Sequence, residues 1–176
     1  MYKLFLTLLA LTGLSTARPD VFLIRHGEKP KNGNGLNKDG LDRAECIRHI
    51  FGEHTDYNIG YILAQKPKKN GRRNRPYETV KPLARDLGMK VDISCNRDDA
   101  KCVKKAIAKY NGDGNILVCW EHHRMTDLVE ELGYKDVPQY PDNRFDLIWT
   151  DPYPYTKITE ITSEKCIGLD WFPEEL

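Results

Sequence analysis

Apolar positions along the chain fall into two recurring patterns. The runs Asp20-Val-Phe-Leu-Ile24, Ile59-Gly-Tyr-Ile-Leu-Ala64 and Asn115-Ile-Leu-Val-Cys-Trp120 are short and continuous, without polar alternation. That is the pattern of strands buried on both faces. Between them the spacing becomes helical. Leu41, Ala44, Ile47, Ile50 and Phe51 share one face, with Asn37 or Asp39 available as the cap. Val80, Leu83, Ala84 and Leu87 form a second stripe, opened by Pro76 and closed by Gly88. Ala100, Val103, Ile107 and Tyr110 predict a third helix, and Met125, Leu128, Val129 and Leu132 a fourth, while residues 89–94 read as a further strand. Strands alternating with helices imply βαβ units and an α/β fold in three layers, α/β/α, around a mostly parallel central sheet. Beyond Pro138 the rhythm breaks. Residues 145–150 and 157–162 are strand-like with Pro152 and Pro154 between them, so edge strands antiparallel to some of the rest are expected there.

The N-terminus adds a compartment. Lys3 precedes an apolar run from Leu4 to Leu14, and Ser15-Thr16-Ala17 places small residues at a cleavage site, so residues 1–17 read as a secretory signal peptide. A single domain over residues 18–176 is expected to follow, secreted and not membrane-anchored. Its 176-residue precursor carries 27 basic and 26 acidic side chains, and loss of Lys3 makes the mature chain neutral. Ligand binding must therefore come from local clusters of charge. In an oxidising compartment the five cysteines favour disulfides over metal ligation. Sequence leaves several pairings open; the expectation is Cys95 with Cys102, which are near neighbours, Cys46 with Cys166, and Cys119 free in its apolar run. No Asn-X-Ser/Thr acceptor for N-glycosylation is present.

Open α/β sheets bind ligands beyond the carboxyl ends of their strands. Three segments bring polar residues to that edge: Arg25-His26-Gly27-Glu28 after the first strand, Arg75 ahead of the second helix, and Glu121-His122-His123-Arg124 after the strand ending at Trp120. Paired arginines match phosphate oxygens, and a neutral imidazole is a competent nucleophile. The run from Lys66 to Arg75 holds six basic residues. It reads as a solvated loop whose end at Arg75 can steer anions toward the crevice. No aromatics interleave it, which argues against nucleic acid as a partner. His49 and His54 lie on or after the first helix and read as surface residues.

Arg25-His26-Gly27 after a hydrophobic strand resembles the opening signature of the histidine phosphatase, or phosphoglycerate mutase-like, superfamily. Leu36-Asn-Lys-Asp-Gly40-Leu-Asp-Arg43-Ala44 is similar to that family's Leu-Thr-x-x-Gly-x-x-Gln/Arg-Ala segment. Arg75-Pro-Tyr-Glu78-Thr79 is similar to its Arg-Ala-x-Gln-Thr, and the end of the His122 strand to its late histidine motif. The leader and the tail Phe145-Asp-Leu-Ile-Trp-Thr-Asp-Pro-Tyr further resemble a small secreted fungal branch. The resemblance implies hydrolysis of phosphomonoesters through a phosphohistidine on His26, rather than mutase chemistry, with Arg25, Arg75 and His122 binding the phosphoryl oxygens. It implies no cofactor and no metal, and no metal-ligand spacing stands out in the sequence. With an ordinary pKa near ~6.5, His26 would be neutral at mildly acidic to neutral pH. The family's glycine after the late histidine is replaced by His123, a bulky group that would narrow the pocket, which leaves His122 and His123 as alternatives with His122 in register. Glu121, Glu28, Asp98 and Asp99 all compete for the role of leaving-group acid. These departures sustain a second reading, a weak or inactive relative that binds an anionic ligand or a host partner through the same pocket.

Overall fold

The computed structural model describes residues 18–170, so the expected leader and Trp171 lie outside the described residues. The chain runs β1 (Val21–Arg25), α1 (Lys38–Ile50), β2 (Ile59–Ala64), α2 (Arg75–Asp86), α3 (Ala100–Lys109), β3 (Asn115–Trp120), a 3-10 turn (His122–Arg124), α4 (Met125–Leu132), β4 (Leu147–Asp151) and β5 (Glu160–Ser163). The strands form one sheet in the order β2-β3-β1-β4-β5. β1, β2 and β3 are parallel, and β4 and β5 close the far edge as an antiparallel hairpin.

The central strands sort their side chains by parity. Phe22 and Ile24 of β1 and Leu117 and Cys119 of β3 pack against Ile47 of α1 and Val80 and Leu83 of α2. Val21, Leu23, Ile116, Val118 and Trp120 pack on the opposite side against Val103 and Ile107 of α3 and Leu128 and Val129 of α4. Helices on both faces explain why these strands are apolar throughout, and the three layers are those expected. Asn37 is the cap of α1, accepting the Gly40 amide at 2.9 Å. No helix among the described residues is long and apolar enough to cross a membrane.

Residues 89–94 differ from the expected strand. Only Asp92 bridges to β2, giving its amide to Ile62 and receiving that of Ala64, both at 2.8 Å. Its carboxylate takes the Ser94 amide at 2.7 Å, a local turn that competes with the ladder, and Cys95 then turns away into its disulfide with Cys102. The second disulfide joins Cys46 of α1 to Cys166 beyond β5, and Cys119 is free and buried.

That second disulfide lies beside a buried charge cluster. Arg43, 1% exposed, meets Glu28 at 2.7 Å, Glu164 at 2.5 Å and Asp170 at 2.6 Å. Burial opposes its charge, but the hydrogen bonds it donates to Glu28 and Asp170 and the field of Glu164 win, raising its pKa. One guanidinium cannot balance three carboxylates. Burial therefore pushes Glu164 up to about 8, against the pull of Arg43 and with further push from Asp170 and Asp146. Folded Glu164 keeps its proton where the unfolded chain, at the ordinary value of 4.5, has lost it. More protons are bound folded than unfolded, so this group's contribution to stability is lost as pH rises from about 5 toward 8. Asp151, pushed by burial up to about 7, acts with the same sign. Glu164→Gln will shrink the fall in urea midpoint between pH 5 and pH 8, and an unchanged fall would acquit this carboxyl.

Candidate active site

β1 ends in a backbone held on three sides. The His26 amide extends the ladder to the Trp120 carbonyl at 3.1 Å, and the Gly27 amide donates to Thr79 Oγ1 at 2.9 Å. Thr79 in turn donates to the Arg75 carbonyl at 2.8 Å, tying β1 to the first turn of α2. From the other side α1 closes on the loop: a Cβ on Gly27 would meet the Gly40 carbonyl at 2.9 Å, and one on Gly40 would meet the Glu28 carbonyl at 2.5 Å. Only glycine at both positions permits that approach.

His26 is 3% exposed, and its Nδ1 lies 2.7 Å from the Gly27 carbonyl. A carbonyl only accepts, so Nδ1 carries the proton and Nε2 keeps its lone pair. Burial, aided by the charges of Arg25, Arg75 and His122, lowers its pKa to about 3 against the smaller pull of the Gly27 carbonyl. The expectation of an ordinary histidine is thus corrected: removal from water keeps His26 neutral well below pH 5.

His26 opens onto a cavity of about 400 Å³ whose wall includes Arg72, Arg73, Arg75, Arg97 and Glu121. Arg75 donates Nε to the Gly35 carbonyl at 3.1 Å, which orients its fork. Arg97 is placed by Trp120, whose Nε1 donates to the Arg97 carbonyl at 3.0 Å. Gln65, 1% exposed at the end of β2, also lines the cavity, and its Oε1 has no hydrogen-bond partner. Its place one residue past a buried strand was the signal that could have found it. Nothing local in the sequence marks Arg97.

Arg25 departs from its expected place in the phosphate clamp. Its guanidinium lies 3.7 Å from the Phe145 ring centroid, and Nη1 donates to the carbonyls of Asp142 at 2.8 Å and Arg144 at 2.6 Å. It does not line the cavity. Burial lowers its pKa, with Tyr140, Glu121, Asp142 and Glu28 opposing, and its charge is felt at both His26 and His122. His122 is 7% exposed, with Nε2 3.1 Å from Asp142 Oδ1. Its Nδ1 is 3.1 Å from Glu121 Oε1 but out of line for a hydrogen bond. His123 points outward at 66% side-chain exposure, away from the cavity it was expected to narrow, with its ring 3.9 Å from that of His122.

The four candidate acids separate cleanly. Glu28 is spent on Arg43, bidentate at 2.7 to 3.1 Å. Asp98 is ion-paired to Arg97 at 2.9 Å and Arg124 at 3.0 Å, and the Arg97 hydrogen bond holds its pKa down, so it cannot keep a proton to give. Asp99 caps α3 through the Cys102 amide at 3.0 Å. Glu121 is the one acidic residue among those lining the cavity with His26. Glu121, His122 and His123 bring donor atoms within 4.8 Å of one another, because the 3-10 turn gathers neighbours that an extended chain would separate.

No protein-family model matches the sequence, and no curated protein is similar to it. Solved structures are similar in fold. A protein assigned as phosphohistidine phosphatase SixA from Agrobacterium tumefaciens superposes with a TM-score of 0.58 at 15% identity, over 83% of this chain and 98% of that one. The protein histidine phosphatase SixA complexed with tungstate gives 0.59 at 16% identity, over 82% and 97%. The fold is therefore that of the phosphoglycerate mutase-like histidine phosphatases.

Nitrogen-detected NMR of the imidazoles will find His26 as the neutral Nδ1–H tautomer from pH 4.5 to 8. A midpoint near 6.5 would show that the ring is solvated and not buried as described.

Proposed function

We propose that the protein is a secreted, metal-independent phosphatase that hydrolyses small phosphomonoesters through a phosphohistidine on His26. The observation that carries this reading is the His26 imidazole, buried, neutral and proton-bearing only on Nδ1, at the wall of an arginine-lined cavity. Nε2 attacks phosphorus in line, forming the N–P bond as the P–O bond to the leaving group breaks. The Gly27 carbonyl, holding Nδ1–H, stabilises the positive charge that the ring acquires. Glu121 supplies the proton to the departing oxygen. As a carboxylate it then takes one from the water that cleaves the N–P bond, which returns both residues to their starting forms. Arg75 holds the equatorial oxygens, where a donor fixed before reaction is worth about 3–4 kcal/mol of barrier, while His122, whose Nε2 faces Asp142, does not line the cavity. Arg72, Arg73 and Arg97 draw the rest of an anionic substrate into the mouth. The fold shared with phosphohistidine phosphatases, one of them holding tungstate, supports the same reading.

Arg25 supports a second reading. Its Nη1 is taken by loop carbonyls, so the clamp has one fork fewer than the resemblance implies, as in a relative that binds anions and turns over slowly.

Hydrolysis of an aryl phosphate in EDTA separates the two. The phosphatase reading expects turnover that survives EDTA, is inhibited competitively by tungstate, vanishes in His26→Ala and falls about 10²–10³-fold in Arg75→Ala. Tungstate binding without turnover would establish the second reading, and neither binding nor turnover would remove both.

A further inference from the structure

On the outer side of His122, away from the cavity, His123 and Asp142 bring donors to the ring that the phosphoryl chemistry does not use. Asp142 Oδ1 lies 3.1 Å from His122 Nε2 and 3.7 Å from His123 Nδ1. A tetrahedral zinc ion with bonds of about 2.0–2.1 Å spaces its ligand atoms about 3.3 Å apart, and the two separations to Asp142 lie within a few tenths of an ångström of that spacing. Behind His122, Glu121 Oε1 stands 3.1 Å from Nδ1. A carboxylate at the far nitrogen is the usual support of a metal-bound imidazole, because it holds the proton on the nitrogen that the metal does not use. His122 is more than nine-tenths buried, yet its Nδ1 and the Glu121 Oε2 have no hydrogen-bond partner.

We propose that His122 Nε2, His123 Nδ1 and Asp142 Oδ1 form a binding site for a divalent first-row transition metal of the zinc type, with Glu121 orienting His122. Zinc suits this set because imidazole and carboxylate are both among its ordinary ligands. On binding, Nε2 gives up to solvent the proton that faces Asp142 and Nδ1 takes one up beside Glu121, so the ring stays neutral. Arg25, whose charge reaches His122, opposes the ion, while Asp142 and Glu121 offset it. His123 and Asp142 side chains are 66% and 80% exposed, which gives the ion a path from solvent and makes both replaceable without disturbing the core.

Calorimetry with zinc chloride on the full chain in phosphate-free buffer tests the site directly. The expected result is one saturable equivalent, weakened about tenfold or more in His123→Gln and in Asp142→Ala and unchanged in His26→Ala. NMR should show His122 switching to the Nδ1–H tautomer as zinc is added. Absence of saturable binding, or binding unaffected by both variants, would overturn the proposal. The heat of zinc binding is read whether or not the protein hydrolyses an aryl phosphate, so failure of the phosphatase reading would leave this site standing.

Discussion

Backbone contact between the loop after β1 and the first turn of α1 sets the rest of the site. Gly27 and Gly40 approach so closely that a Cβ on either would lie under 3.0 Å from backbone of the other segment. Neither side can relax by turning a side chain, because the obstacle is main chain in both directions. The contact fixes where β1 lets go of the sheet. That in turn aims His26, seats the Gly27 carbonyl against its Nδ1, and turns Glu28 back toward Arg43. Thr79 completes the clamp from α2. The nucleophile's tautomer is thus a consequence of two missing methyl groups and one hydroxyl.

Burial divides the arginines of this region into two kinds. Arg25 and Arg43 are out of water, Arg25 with Nη1 committed to loop carbonyls and Arg43 with its donors committed to Glu28, Glu164 and Asp170. Leaving a buried charge or its partners uncompensated costs about 3–5 kcal/mol, so these two hold structure in place. Arg72, Arg73, Arg75 and Arg97 keep access to the cavity. An incoming anion can meet the latter group without breaking a buried pair, and the charges nearest His26 help keep it unprotonated.

The fold was largely legible. Continuous apolar runs marked β1, β2 and β3, and the helical stripes placed all four helices, because burial on both faces leaves little freedom in composition. Residues 89–94 misled because apolar content says nothing of a carboxylate at Asp92 that turns the chain locally. At the site, the places of His26 and Arg75 on one cavity could be read from their positions at a strand end and a helix start, whereas His122, at the end of β3, faces Asp142 and does not line that cavity. The four acids could not be told apart, since what separates Glu121 from Glu28 is a partner, Arg43, that folding supplies. Arg25 likewise looks in sequence like any strand-end cation. Its partners lie more than a hundred residues away in a loop without periodicity.

That loop explains why a conspicuous arginine can be diverted from the cavity without being wasted. The segment carrying Asp142 and Arg144 lies outside the strands, so its carbonyls take donors from elsewhere than the ladder. Arg25 supplies the donor while stacking on Phe145, and Tyr140 anchors the near end by packing on Trp149 and receiving the Leu147 amide at 3.0 Å. Held this way, the loop sets Asp142 against His122. Arg25 thereby acts on the second histidine twice, through its field and through the carboxylate it positions. Burial and the positive charges of Arg25 and His123 push the His122 proton off, Glu121 and Asp142 draw it back, and the pKa of that ring settles below its ordinary value.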